Sequence, residues 1–417
     1  MSHLIIRNIG PVKEADINLK RFNFFIGAQS SGKSTIAKVL STCSWVEKEA
    51  ATMMDEEVIA NASAFIALMV DFHKMTDYFD EESEIQYETD VIRISLKGKN
   101  DFSIQLKNQP AYLREKICYI PSERNSVTLP ELQGFEFGQT NLRSFLFDWY
   151  NARELYKEDN KVDILNLGVR YYYDPSEIKY KDRIEHVNGK TYKIPLGSAS
   201  SGLQSVVPLQ IMVLYYSDLY FETFDARTSF DQDEKTRLIR SRLTSSVVLK
   251  QMFGEDFNSE QRSELIKEAN NRLHKADPEA LRLMDEFRAE VARLTVPVRT
   301  SFIIEEPEQN LYPFTQIALT DAMVGLCSSE RRHGCTITTH SPFILNYLNV
   351  LIARYYKGIT GKAVLNPEEL GVFATGDGRL VDLMQKNEKT GEMSVNAEDL
   401  VEAMRYMYTE YREIKDM

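Results

Sequence analysis

The sequence predicts a mixed α/β fold: an antiparallel β region at the N-terminus, a phosphate-binding loop set between a strand and a helix, and helical insertions further on. Three observations carry this. The nearly apolar run Phe22-Asn23-Phe24-Phe25-Ile26 leads directly into Gly27-Ala28-Gln29-Ser30-Ser31-Gly32-Lys33-Ser34. A second apolar run, Phe302-Ile303-Ile304, ends in the carboxylates Glu305-Glu306. A third, Thr336-Ile337-Thr338-Thr339, ends in His340. Runs with no polar alternation are how central strands, covered on both faces, read in a sequence.

The elements follow in chain order. Leu4-Ile5-Ile6 and Ala15-Asp16-Ile17-Asn18-Leu19 read as strands, separated by the Gly10-Pro11 turn and closed by Lys20-Arg21 before the run at 22–26. A helical pattern runs from Thr35, with breaks, to about Phe79. Residues 85–106 return to strand-like alternation around a turn at Lys97-Gly98-Lys99-Asn100, and Ile117-Cys118-Tyr119-Ile120 is a buried strand stopped by Pro121. Residues 122–163 are mixed and aromatic. Strands resume over 168–194, with Val187-Asn188-Gly189-Lys190 as a two-residue hairpin loop. A helix begins near Gly202, with Val206, Leu209, Val213, Tyr216 and Tyr220 as its apolar stripe. Residues 222–297 are charged and mostly helical. Their last helix is capped by Asp277, has Pro278 at its first position and stops before Pro297. A helix over 316–327 lies between the Glu305 and His340 strands. The tail from Lys362 reads strand-turn-strand and ends in a helix after Asn396.

Composition bounds the function. The chain of 417 residues is 43% hydrophobic and 27% charged, which fits a folded protein and excludes a disordered one. A net charge of -12 argues against a protein that coats nucleic acid nonspecifically, though it allows a local basic groove. Cys43, Cys118, Cys327 and Cys335 form no Cys-x-x-Cys pair, and six scattered histidines have no zinc-ligand spacing. Unpatterned cysteines suit a reducing compartment. The start Met1-Ser2-His3-Leu4 lacks a signal-peptide layout, and no apolar run approaches the roughly 18 residues of a membrane span. The expectation is a cytoplasmic protein without a membrane segment.

Four motifs carry chemistry. Residues 27–34 match G-x-x-x-x-G-K-[ST] in full. Glycines let consecutive N–H groups turn inward onto phosphate oxygens, and the following helix presents its positive end. Gly27, Ala28, Gln29, Ser30, Ser31, Gly32, Lys33, Ser34 and Thr35 are therefore the expected nucleotide ligands. Lys33 would reach the β- and γ-phosphates, and Ser34 would ligate Mg²⁺. Glu305 and Glu306 stand adjacent at a strand end, where one carboxylate can hold the metal and its neighbour can polarise water. Alone such a pair marks an ordinary solvated loop; beside a phosphate-binding loop it marks a catalytic pair. His340 at the end of the third run can donate to a γ-phosphate or orient water. Ser198-Ala199-Ser200-Ser201-Gly202-Leu203-Gln204-Ser205 leads small residues into a helix N-terminus, which is either a second anion site or an ordinary helix capped by Ser201.

The order of these motifs resembles the ABC-type ATPases of the SMC, RecF and OLD group, especially the bacterial AAA family ATPases of phage-defence operons. The resemblance rests on Ile6-Arg7-Asn8-Ile9-Gly10-Pro11, the phosphate-binding loop, Tyr119-Ile120-Pro121-Ser122-Glu123-Arg124, Ser200 to Gln204, Glu305-Glu306-Pro307-Glu308-Gln309-Asn310-Leu311-Tyr312-Pro313 and Thr339-His340-Ser341-Pro342. It spans residues 1 to about 350 and implies an ABC-type P-loop ATPase head. By that resemblance Glu305 is the metal carboxylate, Glu306 the catalytic base and His340 the switch histidine, with Lys33 completing the catalytic set. Ser201, Gly202 and Gln204 would be the signature motif that contacts ATP bound to the partner subunit. ATP and Mg²⁺ are the implied cofactors, and an ATP-dependent head-to-tail homodimer, or a higher oligomer, is the implied assembly. The chain departs from the pattern in three places: Glu305 replaces the usual Asp, Leu203 replaces a common glycine, and Pro121-Ser122-Glu123-Arg124 stands where a glutamine loop is usual.

The expected organisation is residues 1–221 as the first part of the head, with a helical and β insertion at about 45–115. Residues 222–297 follow as a helical insertion, then 298–417 as the second part. Broken heptads predict short helices over 222–297, not a long coiled-coil arm. Asp231-Gln232-Asp233 is the lone Asp-x-Asp and reads as a solvated loop, so no nuclease centre is expected. Two functions fit: the ATPase sensor subunit of an antiphage system acting with a separate nuclease or toxin effector, or a RecF-like DNA-repair or DNA-clamp ATPase. The first allows nucleic-acid binding but does not require it.

Overall fold

The computed structural model describes residues 2–108, 111–129, 138–225, 234–254, 259–397 and 402–415. The chain opens with β1 (Ser2–Ile9), β2 (Val12–Leu19), β3 (Phe22–Gly27), α1 (Lys33–Met53) and α2 (Ala62–His73). Next come β4 (Glu84–Glu88), β5 (Ile92–Lys97), β6 (Asp101–Leu106), β7 (Glu115–Ile120) and α3 (Asn141–Arg153). A small region holds β8 (Val162–Asp163), β9 (Val169–Tyr173), β10 (Asp182–His186) and β11 (Tyr192–Pro195). The helical stretch runs α4 (Ser201–Leu214), α5 (Tyr220–Asp225), α6 (Glu234–Leu243), α7 (Lys250–Phe253), α8 (Ser259–His274) and α9 (Pro278–Thr295). The last part has β12 (Arg299–Glu305), α10 (Pro313–Cys327), β13 (Gly334–Thr339), α11 (Pro342–Tyr356) and β14 (Leu370–Gly376). It closes with β15 (Arg379–Asp382), β16 (Met384–Lys386), β17 (Met393–Val395) and α12 (Glu402–Lys415).

One large sheet has the strand order β6-β5-β4-β1-β2-β15-β14-β3-β13-β12-β7. From β6 to β2 every pairing is antiparallel, while β14, β3, β13, β12 and β7 run parallel. The mixed α/β fold with an antiparallel N-terminal part is thus the observed architecture. The hairpin turn at Gly98 falls where its turn residues place it. The β10–β11 hairpin forms around Gly189, but His186 pairs with Tyr192, so its connection is residues 187–191 and not the expected two-residue loop.

Alternation of side chains splits the core into two layers. Phe22, Phe24 and Ile26 point into the layer covered by α4, α10 and α11, with Val206, Leu209, Leu319, Ile344 and Leu348. Phe25 points into the opposite layer with Ile36, Val39 and Leu40 of α1. Fully burying one such phenylalanine contributes about 1.5–3 kcal/mol, so a charge at Phe24 or Phe25 would unseat the strand that delivers the loop. Ile239 and Leu243 of α6 and Val291 and Leu294 of α9 join the α1 layer. Helices α7 and α8 pack instead around Val248, Leu249 and Ala269 in a separate small cluster.

Asp277 caps α9 through the amides of Glu279 and Ala280, and Pro278 opens it. The cap of α4 differs from expectation. Ser200, not Ser201, takes the extended N-cap conformation, and its hydroxyl accepts a long 3.5 Å bond from the Leu203 amide. Asp231-Gln232-Asp233 lies outside the described residues. Among the described residues no helix is long and apolar enough to cross a membrane.

Candidate active site

Parallel pairing brings the three motif-bearing strand ends to one edge. Ile26 stands opposite Thr339, Glu305 opposite Thr338, and Gly27 opposite Thr375. The carboxyl edge of such a sheet is where ligands of α/β folds sit.

The loop after β3 admits no side chain at two of its glycines. A Cβ on Gly27 would lie 2.3 Å from Thr375 Oγ1 and 2.4 Å from the Thr375 carbonyl oxygen. Gly32 has φ of 100°, and a Cβ there would lie 2.6 Å from Val12 Cγ2. Gly32 is also the N-cap of α1, and no side chain caps that helix. Its first-turn amides and positive end therefore face the loop as donors for an anion. Ser31 Oγ lies 2.5 Å from Thr375 Oγ1, pinning the loop to β14. The Lys33 ammonium is buried and donates to the carbonyls of Gly27 at 3.0 Å and Ala28 at 2.7 Å. Burial lowers its pKa, while the negative charges of Glu306 and Glu308 pull it back up. Ala28, Gln29 and Ser30 are exposed, Ser34 is half-buried and Thr35 is buried.

At the next strand end Glu305 is buried, 4% exposed. Its Oε1 accepts the Tyr119 hydroxyl at 2.7 Å and its Oε2 the Ser122 amide at 3.4 Å. Burial raises its pKa, opposed by the Tyr119 bond and the Lys38 charge. Glu306 takes a left-handed backbone, φ 44°, and its amide donates to the Thr338 carbonyl at 2.8 Å. That turn carries its carboxylate toward the third strand end, where Oε1 lies 3.3 Å from His340 Nε2. Glu308 Oε1 accepts the His340 amide at 2.5 Å. Glu306 thus faces His340 and also acts electrostatically on Lys33.

The second anion motif is placed differently. Ser201 is exposed at the start of α4 and Gly202 packs on the carboxylate loop, where a Cβ would lie 2.9 Å from the Asn310 carbonyl oxygen. Gln204 turns back, its Nε2 donating to the carbonyls of Gly197 at 3.0 Å and Ala199 at 2.8 Å. Among the described residues none of these three is hydrogen-bonded to residues 27–34. Of the three, Gly202 borders the same chain's Asn310 and Leu311, and Ser201 stays exposed.

Four residues with no role assigned from sequence belong to the site: Tyr119, Arg124, Glu308 and Thr375. Tyr119 at the end of β7 and Ser122 just after it both grip Glu305. Pro307-Glu308 directly after the acidic pair was the signal for Glu308. Thr375 lies far along the chain, and only strand pairing reveals it.

The site fits the expected ligands. Glycine positions that a Cβ would fill, an uncapped helix end and a buried ammonium suit a polyphosphate. Thr338 Oγ1, opposite Glu305, and Glu308 Oε2 are buried without a hydrogen-bond partner among the described residues, which suits a hydrated ion beside the carboxylates. Ser34 and Glu305 offer the hard oxygen donors that Mg²⁺ takes while keeping several waters. Among the described residues no group of three or more His, Cys, Asp or Glu side chains is placed to hold a metal alone.

No family model matches the chain, and no curated protein does. Solved structures of similar fold include the SMC head domain from Thermotoga maritima, at 8% identity and TM-score 0.37, covering 91% of this chain and 97% of that one. The recombination mediator protein RecF is similar at 11% identity and TM-score 0.29, covering 91% and 97%. A bacterial ABC transporter cassette in a dimeric structure is similar at 9% identity and TM-score 0.30, covering 90% and 96%.

Proposed function

We propose that this chain binds ATP at residues 27–35 and hydrolyses it to ADP and phosphate, with Glu306 as the general base. The observation that supports this most is the 3.3 Å approach of His340 Nε2 to Glu306 Oε1 beside the phosphate-binding loop. In this reading the loop amides and the α1 end bind phosphate oxygens, and Lys33 leaves its loop carbonyls to pair with the terminal phosphates. Glu306 accepts a proton from the attacking water, and His340 orients that carboxylate. Ser34 and Glu305 would hold Mg²⁺, which when bound neutralises developing phosphate charge. Ser201 at the exposed α4 start serves a second copy's nucleotide in a head-to-tail homodimer.

The test is ATP binding by the purified chain with and without Lys33→Ala. Loss of the lysine is expected to weaken ATP affinity by about tenfold or more, since a charge-assisted bond to phosphate is lost. Unchanged affinity would remove the loop from nucleotide binding.

The wider role we propose is regulation of a separate effector in antiphage defence. It rests on the resemblance of the motifs. Expression of the neighbouring genes with this chain, followed by co-purification, tests it. Steeply salt-dependent DNA binding with no protein partner would favour the DNA-repair ATPase instead.

A further inference from the structure

Among the described residues Arg124 is one of the largest fully buried side chains, and it is a cation to which none of their carboxylates is hydrogen-bonded. Its guanidinium is spent on backbone carbonyls from three separate segments. Nε donates to Ser205 of α4 at 3.1 Å, Nη1 to Glu305 at 2.8 Å and to Pro121 at 3.4 Å, and Nη2 to Glu306 at 2.7 Å. Burial lowers its pKa to about 10, against the pull of Glu308, Glu306 and Glu305. Burying a charge is costly unless a fixed set of dipoles receives it, and a planar fork with five donors is the side chain that can join several carbonyls at once.

Two further contacts share the same helix turn. Asn310 Nδ2 donates to Ser205 Oγ at 3.0 Å, and Gly202 sits against the Asn310 carbonyl. Both ends of the Glu306–Asn310 segment are thus tied to the first turns of α4: the first through Arg124, the last through Asn310. The middle of that segment carries the left-handed Glu306 and the Glu308 that grips His340.

We infer that Arg124 is a positioning residue that couples the start of α4 to the Glu306 backbone, so that whatever docks on Ser201 and Gly202 is sensed at Glu306. The inference rests on the ATPase reading for its consequence, and on the carbonyl contacts for its geometry. A second copy's triphosphate seated on Ser201 would press α4 and, through Arg124 and Asn310, set the Glu306 carboxylate. Occupancy of one site would then accelerate hydrolysis in the other without being required for it.

The experiment uses the full chain with Arg124→Lys, which keeps the charge and loses the fork, and Asn310→Ala, an exposed position that leaves the core intact. Amide hydrogen exchange over 306–311 is compared with that of α1, alongside affinity for a non-hydrolysable ATP analogue and turnover. Exchange over 306–311 is expected to speed by about tenfold in Arg124→Lys and less in Asn310→Ala, with α1 unchanged. Turnover is expected to fall about ten- to a hundredfold while analogue affinity stays within about threefold. Unchanged exchange over 306–311 in both variants would overturn the inference, as would loss confined to affinity. Wild-type ATP affinity in Lys33→Ala would sink the nucleotide reading separately, and the exchange comparison would still decide whether Arg124 ties the two segments.

Discussion

His340 is held twice by the acidic loop: its ring Nε2 lies 3.3 Å from Glu306 Oε1, and its backbone N–H donates to Glu308 Oε1. The two carboxylates flank Pro307, so one short segment sets both the ring and the main chain of the histidine. His340→Ala is therefore expected to leave ATP binding nearly intact and to lower turnover by about ten- to a hundredfold, the range for a misplaced catalytic group. His340→Gln, which keeps a donor, should recover part of that loss. Equal turnover of wild type and His340→Ala would remove the histidine from the reaction.

The paired-site expectation can be tested by mixing. Lys33→Ala and Ser201→Arg each disable both sites of a homodimer. In a mixed two-fold dimer both lesions fall in one site and the other is whole. Recovered ATPase activity on mixing is the expected outcome. Demonstrated heterodimers with no recovery would contradict shared sites.

Stability toward acid has its own determinant. His73 on α2 is buried against the rings of Phe72 and Tyr119, and among the described residues neither ring nitrogen is hydrogen-bonded. Burial, helped by the Lys38 charge, lowers its pKa to about 3. The unfolded chain takes up this proton near pH 6.5 and the folded one does not, so stability is present above that pH and is lost as pH falls toward the folded value. The loss approaches about 1.4 kcal/mol per pH unit in that window. Urea unfolding of wild type and His73→Leu at several pH values between about 7 and 4.5 checks this. The expected result is a shallower decline in the variant; parallel declines would assign acid lability elsewhere.

Much of this was legible in the sequence because local physics dictated it. Phe22 to Ile26 has to be a doubly covered strand, and the glycines of 27–34 have to make a tight loop. The acidic pair and His340 each end an apolar run, so parallel pairing of those runs suffices to assemble the cluster. Other features depend on distant pairings that no local pattern encodes. Thr375 meets Ser31 only because β14 lies beside β3. Arg124 reads as a surface arginine until the fold buries it among carbonyls of Pro121, Ser205, Glu305 and Glu306. The choice between Ser200 and Ser201 as the cap of α4 turned on which serine is extended, and small residues on both sides gave no local preference.

Whether Glu306 is the base of an ATPase is tested most directly by ATP binding and turnover of Glu306→Gln. The substitution keeps size and hydrogen bonding and removes the proton acceptor. The account predicts ATP affinity close to wild type and turnover reduced by about a hundredfold or more. Wild-type-like turnover in Glu306→Gln would contradict it.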